Sequence, residues 1–205
     1  MTFSSSHIMT TINDSILSHF QSNISCLENF TDQFHLIEKI IEKLISARDN
    51  GNMIFIMGNG GSGSTASHFV SDLLKTAITK DTKRFKAISL VDNIPVNLAW
   101  SNDVSFDTIF SEQLHNFLKK DDVVICFSGS GNSQNIINAV KYGKECGATC
   151  LGITGMSGGK LSDLADIALI VPSQDMLLIE STHLLICHCI VSAIREQGTP
   201  KFNYE

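Results

Sequence analysis

The chain has 205 residues, ordinary hydrophobic content and a net charge of −6 at pH 7, which suits one α/β domain whose core needs neither disulfides nor a structural metal. The acidic balance, with no Lys/Arg-rich run to offset it, argues against non-specific nucleic-acid binding, which depends on a basic surface. No stretch approaches the ~18 consecutive apolar residues of a membrane span, and the Ser/Thr-rich opening MTFSSSHIMTT lacks the basic region and apolar core of a secretory signal.

The first elements are helical. Ile12, Ile16, Leu17 and Phe20 fall at the spacing of one buried helix face over 12–31. A second helix is expected over about 32–50, with Phe34, Ile37, Ile40, Ile41 and Leu44 apolar, ending at Asp49-Asn50-Gly51 where glycine takes a left-handed cap. The pattern then changes. Met53–Met57 is a short continuous apolar run, the mark of a strand buried on both faces. Gly-rich sequence follows at 58–63 and a helical stretch at about 64–78. Phe85–Val91 reads as a strand followed by a helix from about 95; Val123–Phe127 as a strand followed by a Ser/Gly loop and a helix over 134–146. Thr149–Thr154 and Ile167–Val171 are further strands, and a long apolar helix covers about 176–196. Strands alternating with helices through short loops predict a parallel sheet covered on both faces: a three-layer α/β/α sandwich, residues 52–196, preceded by helices within 1–51, all in one domain over 1–205. The six cysteines (Cys26, Cys126, Cys146, Cys150, Cys187, Cys189) sit mostly in apolar runs without a CxxC pair, and read as reduced, buried thiols of a cytoplasmic protein. Trp100 and the Cys187/Cys189 pair read as core packing.

Two loops carry chemistry. Gly58-Asn59-Gly60-Gly61-Ser62-Gly63-Ser64 joins a strand to a helix, where glycines admit close approach of a ligand and the helix start offers free amides. It lacks the Gly-Lys-Ser/Thr ending of a phosphate-binding NTPase loop and the downstream acid of a dinucleotide site, so no nucleotide cofactor is expected. Alone it is equally consistent with a tight turn. Ser128-Gly129-Ser130-Gly131-Asn132-Ser133 follows another apolar strand and sets three hydroxyls within six residues, all able to donate to phosphate oxygens. In an open parallel sheet both loops lie at the strand C-termini, where ligands bind. That coincidence favours a phosphate site over turn chemistry.

GNGGS, then SGSGNS, then ITGMSGGKLSDLADIALIVPS, in that order, resembles the SIS (sugar isomerase) domain family. From Asn52 to His188, with HFVSDL after the first loop and ESTHLLICH on the last helix, the chain is similar to its phosphoheptose isomerase branch. The resemblance implies a flavodoxin-like parallel sheet and a phosphosugar held by Ser62, Ser128, Ser130 and Ser133, with Asn59, Gly60, Gly61, Asn93, Gly129 and Glu180 around it. It also implies a reaction: aldose–ketose isomerisation of sedoheptulose 7-phosphate and D-glycero-D-manno-heptose 7-phosphate through an enediol, feeding heptose and surface-polysaccharide (lipopolysaccharide, capsule) synthesis. Asp72 would be the base and His188 the proton shuttle. One zinc per site is implied, on His68, Asp72, Glu180 and His188, together with a homotetramer or homodimer whose sites lie at subunit interfaces.

Taken residue by residue the reading is less specific. His68 and Asp72 share a helix face at i, i+4, an arrangement that, read in isolation, is more often a surface pair or a satisfied core group. His188, inside LLICHCIV, also reads as a hydrogen-bonded core histidine, and His183 as either a cleft residue or a structural one. Four departures from the branch stand out: Asp72 for Glu, one methylene or on the order of 1.5 Å shorter; Glu180 for Gln; Gly129 for Thr; and Asn93 for Asp. They admit two alternatives, an isomerase of another phosphosugar, or a non-catalytic SIS binding or regulatory protein such as the relative that associates with a replication initiator. A pure binding protein needs neither His188 nor an acid at 72, and both are present.

Overall fold

The five apolar runs form five parallel strands: β1 Met53–Gly58, β2 Lys86–Ser89, β3 Val123–Ser128, β4 Thr149–Gly155 and β5 Ile167–Val171. The computed structural model describes residues 11–202. The expectation for the Ser/Thr-rich opening lies outside the described residues, except at Thr11, which caps the first helix. The helices are α1 Ile12–Phe30, α2 Phe34–Asn50, α3 Gly61–Ser71, α4 Ile94–Asp103, α5 Ser111–Phe117, α6 Gln134–Glu145, α7 Gly159–Leu164 and α8 Met176–Glu196.

The sheet order is β2-β1-β3-β4-β5, the flavodoxin-like arrangement, whose switch point lies between β1 and β3. Side chains alternate between two cores, as the two-residue period of a strand requires. Ile54, Ile56, Val123, Ile125, Phe127, Leu151 and Ile153 face the layer of α1, α2, α3 and α8. Phe55, Met57, Val124, Cys126 and Cys150 face the layer of α5, α6 and α7. Two polar side chains seal the sheet. Buried Asp122 accepts hydrogen bonds from the backbone of Met53 and Lys119, both 2.8 Å, fixing the entries to β1 and β3. Gln33 pairs with both backbone groups of Ile170 on edge strand β5 (2.6 and 2.8 Å), satisfying groups that an edge leaves open. Gly51 caps α2 at φ 76°, as its sequence predicts.

Several expectations are corrected. Ile12, Ile16, Leu17 and Phe20 are all exposed, because α1 buries only its C-terminal half, through Cys26 and Phe30. The helix expected over 64–78 starts earlier, at Gly61, and beyond Ser71 widens into a π-helical turn, Asp72–Thr76. The seven-residue α5 and six-residue α7 have no sequence counterpart, since they are too short to show a period. Trp100 is only partly buried, and Cys189, two positions and about 200° of helix from buried Cys187, is exposed.

The α8 helix, 21 residues, is long and apolar enough to cross a bilayer by length and composition, and half of its most apolar window is buried inside the protein. Its buried side, with Ile179, Ile186, Ile190 and Ile194, packs into the first core. His183 lies on that side, fully buried. Its Nε2 donates to the Thr154 carbonyl at 3.1 Å, while Nδ1 has no partner among the described residues. Burial holds its pKa down to about 4, against the opposing pull of that hydrogen bond. His183 is therefore structural. A depressed histidine pKa adds stability at neutral pH that is lost as pH falls from about 6.5 to about 4. Urea unfolding at stepped pH is expected to show a loss of about 3 kcal/mol across this window from His183, and a His183→Gln variant is expected to lose that part of the slope.

Candidate active site

The β1 and β3 strands are neighbours, with Gly58 in register opposite Phe127, so the loops that follow them open side by side at the C-terminal edge of the sheet. The first is held by close packing: a β-carbon on Gly58 would stand 2.5 Å from the Ser62 carbonyl oxygen. The second bends at Gly131, φ 65°, where a β-carbon would overlap the backbone of Gly158. Asn59 and Asn135 clasp the loops together through reciprocal amide hydrogen bonds of 3.0 and 2.9 Å. Sequence reasoning missed Asn135, because its partner is remote in the chain.

Between the loops lies a cavity of about 160 Å³. Asn59, Ser62, Ser128, Gly129, Ser130 and Ser133 line it from the loops, and Met176 and Glu180 close it from α8. The Ser128 and Ser133 hydroxyls lie 3.4 Å apart. The α3 and α6 helices both begin here, at Gly61 and Gln134, so their free amides and partial positive ends favour an anion without any cationic side chain. Met176, also unforeseen, fills the space a side chain at 129 would need. The Glu180 carboxylate lies against Gly61, where a β-carbon would overlap it. Gly60 faces a neighbouring apolar recess beside Ile94 and Leu98 instead. Asn93 does not line the cavity: its side chain caps α4 by accepting from Val96 N at 3.4 Å.

Where α8 packs against α3 and the turn after it stand the titratable groups. His68 Nε2 lies 2.9 Å from His188 Nε2, and Asp72 Oδ2 lies 3.3 Å from His68 Nε2 and 3.7 Å from His188 Nε2. Both imidazoles are about half exposed, while the Asp72 side chain is 14% exposed. The shorter acid thus still meets both histidines. Two imidazole nitrogens and a carboxylate oxygen, all within 4.8 Å of one another, form a donor set suited to zinc. Glu180, expected as a fourth ligand, is not one of this group. It sits eight residues before His188, about 12 Å along the helix, and turns toward Gly61 instead.

The family model for the SIS domain matches residues 19–155. The chain is 35% identical to the phosphoheptose isomerase of Aneurinibacillus thermoaerophilus, over 90% of this chain and 94% of that protein. It is 35% identical to that of Helicobacter pylori (strain P12), over 93% and 97%. The chain belongs to the phosphoheptose isomerase family. A solved structure of a phosphoheptose isomerase from Francisella tularensis superposes with a TM-score of 0.86 at 31% identity, covering 91% of this chain and all of that one. Within this phosphoheptose isomerase fold, α8 contributes to both the hydroxyl cavity, through Met176 and Glu180, and the His/Asp/His cluster, through His188.

The second loop should be the least tolerant of change. Gly131→Ala combines a left-handed backbone with a backbone overlap, and is expected to lower unfolding free energy by about 2 kcal/mol or more. Urea titration measures the loss, and calorimetry with inorganic phosphate should show weakened anion binding.

Proposed function

We propose that this chain is a phosphosugar aldose–ketose isomerase converting sedoheptulose 7-phosphate to D-glycero-D-manno-heptose 7-phosphate, in the supply of heptose for surface polysaccharide. The observation that carries the reading is a base-and-shuttle cluster, Asp72 with His68 and His188, built on the same two helical segments that supply Ser62 and Glu180 to a cavity of hydroxyls and helix-start amides. The cavity takes the phosphate.

The chemistry follows from the ketose. Asp72 removes a proton from C1 while the C2 carbonyl oxygen gains one, giving the enediol. Return of a proton to C2, with loss of the C1 hydroxyl proton, completes the aldose. His188 is the group that exchanges protons at the two oxygens, and His68, against both partners, orients them. Zinc, when held by His68, Asp72 and His188, would supply polarisation of the substrate carbonyl, with Asp72 and His188 then serving as ligands in place of carrying protons; Glu180 would join the set only by swinging away from Gly61. Six free thiols among the described residues fit a reducing cytoplasm, and the chain is read as one SIS domain over 1–205.

The same reading includes a homotetramer. Ile12, Ile16, Phe20 and Ile24 on α1, with Leu177 and Leu185 on α8, are all exposed, an apolar surface of the kind association covers. Light scattering coupled to size exclusion is expected to give four chains, and Ile16→Glu with Phe20→Glu is expected to give a smaller species. A monomeric wild type would overturn the assembly.

Purified protein with sedoheptulose 7-phosphate, with and without zinc, is expected to form the aldose. His188→Ala and Asp72→Asn are each expected to lower kcat by about 10²–10⁴-fold. Binding of the sugar phosphate without turnover, zinc present, would sink the isomerase reading and leave a binding protein.

A further inference from the structure

We propose that Thr76 is the positioning residue for Asp72: its hydroxyl engages Oδ1, so that Oδ2 is the oxygen presented to His68 and His188. This rests on the isomerase reading of the Asp72 cluster. The Thr76 hydroxyl donates to Asp72 Oδ1 at 2.9 Å, while both imidazole contacts are made by Oδ2. The two oxygens are therefore divided between a structural and a chemical role, and rotation of the carboxylate about its own axis is stopped.

The backbone is shaped to allow it. Asp72 to Thr76 is a π-helical turn, closed by Ala77 N donating to the Asp72 carbonyl at 2.8 Å, five residues back. Such turns are rare and frequently sit at functional sites. This one is held from outside. Arg195, in the last turn of α8, donates from Nη1 to the Thr76 carbonyl (2.8 Å) and from Nη2 to the Phe202 carbonyl (2.9 Å). Lys80 N donates to the Thr199 carbonyl and Lys201 N to the Ile78 carbonyl, at 2.8 and 2.9 Å. The segment just past Thr76 is thus tied to the last described residues of the chain.

The brace has a chemical reason. An aspartate here carries its carboxylate one methylene nearer the backbone than a glutamate, leaving less slack to correct a wrong rotamer. A fixed hydroxyl partner sets the direction instead. Outer partners of this kind are worth about 10–100-fold in metal affinity or activity when removed.

Two variants separate this role from packing. Thr76→Val keeps the shape and removes the hydroxyl; Thr76→Ser keeps the hydroxyl and removes the methyl. Zinc affinity is read by calorimetry on the protein alone, kcat and KM with sedoheptulose 7-phosphate, and integrity by urea unfolding. Thr76→Val is expected to lower zinc affinity and kcat by about 10–100-fold each, with KM changed less than about threefold, and Thr76→Ser to restore both to within about threefold of wild type. Should Thr76→Val not fold, Thr76→Ala against Thr76→Ser makes the same comparison. An active wild type with Thr76→Val equal to it in kcat and zinc affinity overturns the inference, as does Thr76→Ser impaired as severely as Thr76→Val. A wild type that neither turns over the sugar nor binds zinc overturns the isomerase reading, and this inference with it.

Discussion

The site depends on the pairing of β1 with β3. Because β2 leaves to one side of β1 and the remaining strands to the other, the loops after β1 and β3 diverge from adjacent points and leave a crevice between them. Each loop runs straight into a helix, so two sets of unpaired amides face one small volume. The Asn59–Asn135 clasp keeps the crevice at fixed width. In an acidic chain, this crevice offers an anion local dipoles and hydroxyls at hydrogen-bond range, beside the one carboxylate of Glu180, whereas net charge acts diffusely and is screened.

The second requirement is met by α8. Its apolar composition drives one side into the core, through Ile179, Ile186 and Ile190, and burial on that side fixes the rotation of the other. Gly155 lets it approach the sheet closely, since a β-carbon there would overlap Ile179. With its rotation set, Glu180 and Met176 meet the cavity between the loops, and His188 meets His68 on α3 and Asp72 at the π-helical turn after it. Hydrophobic packing on the inner side of a helix thus aligns polar chemistry on its outer side.

The departures from the family pattern acquire separate physical meanings. Gly129 leaves room that Met176 occupies, so a thioether forms this part of the cavity wall. Glu180 lies at the start of α3, where a helix N-terminus favours negative charge. Asn93 serves as a helix cap, a role asparagine fills as well as aspartate. Asp72 reaches both histidines despite its length. Two of these changes, Gly129 and Glu180, alter the cavity lining, Asn93 lies outside it, and Asp72 leaves the His/Asp/His cluster assembled.

How much was legible beforehand follows from the range of each interaction. Strand, loop and helix order, the Gly51 cap and the two Gly/Ser loops could be read because continuous apolar runs, glycines and clustered serines act on their own neighbours in the chain. The grouping of His68, Asp72 and His188 came only through resemblance, since no periodicity relates two helices more than a hundred residues apart. The exposure of the α1 face escaped the pattern because amphipathicity reveals that a face is apolar, not which surface covers it. The π-helical turn at Asp72, the Asn59–Asn135 clasp and the inward turn of Glu180 were invisible for the same reason. Sequence alone determined the sheet, its loops and the chemistry available at them. Tertiary structure decided which oxygen of Asp72 faces the histidines and where Glu180 points, because those choices rest on contacts between segments distant in the chain.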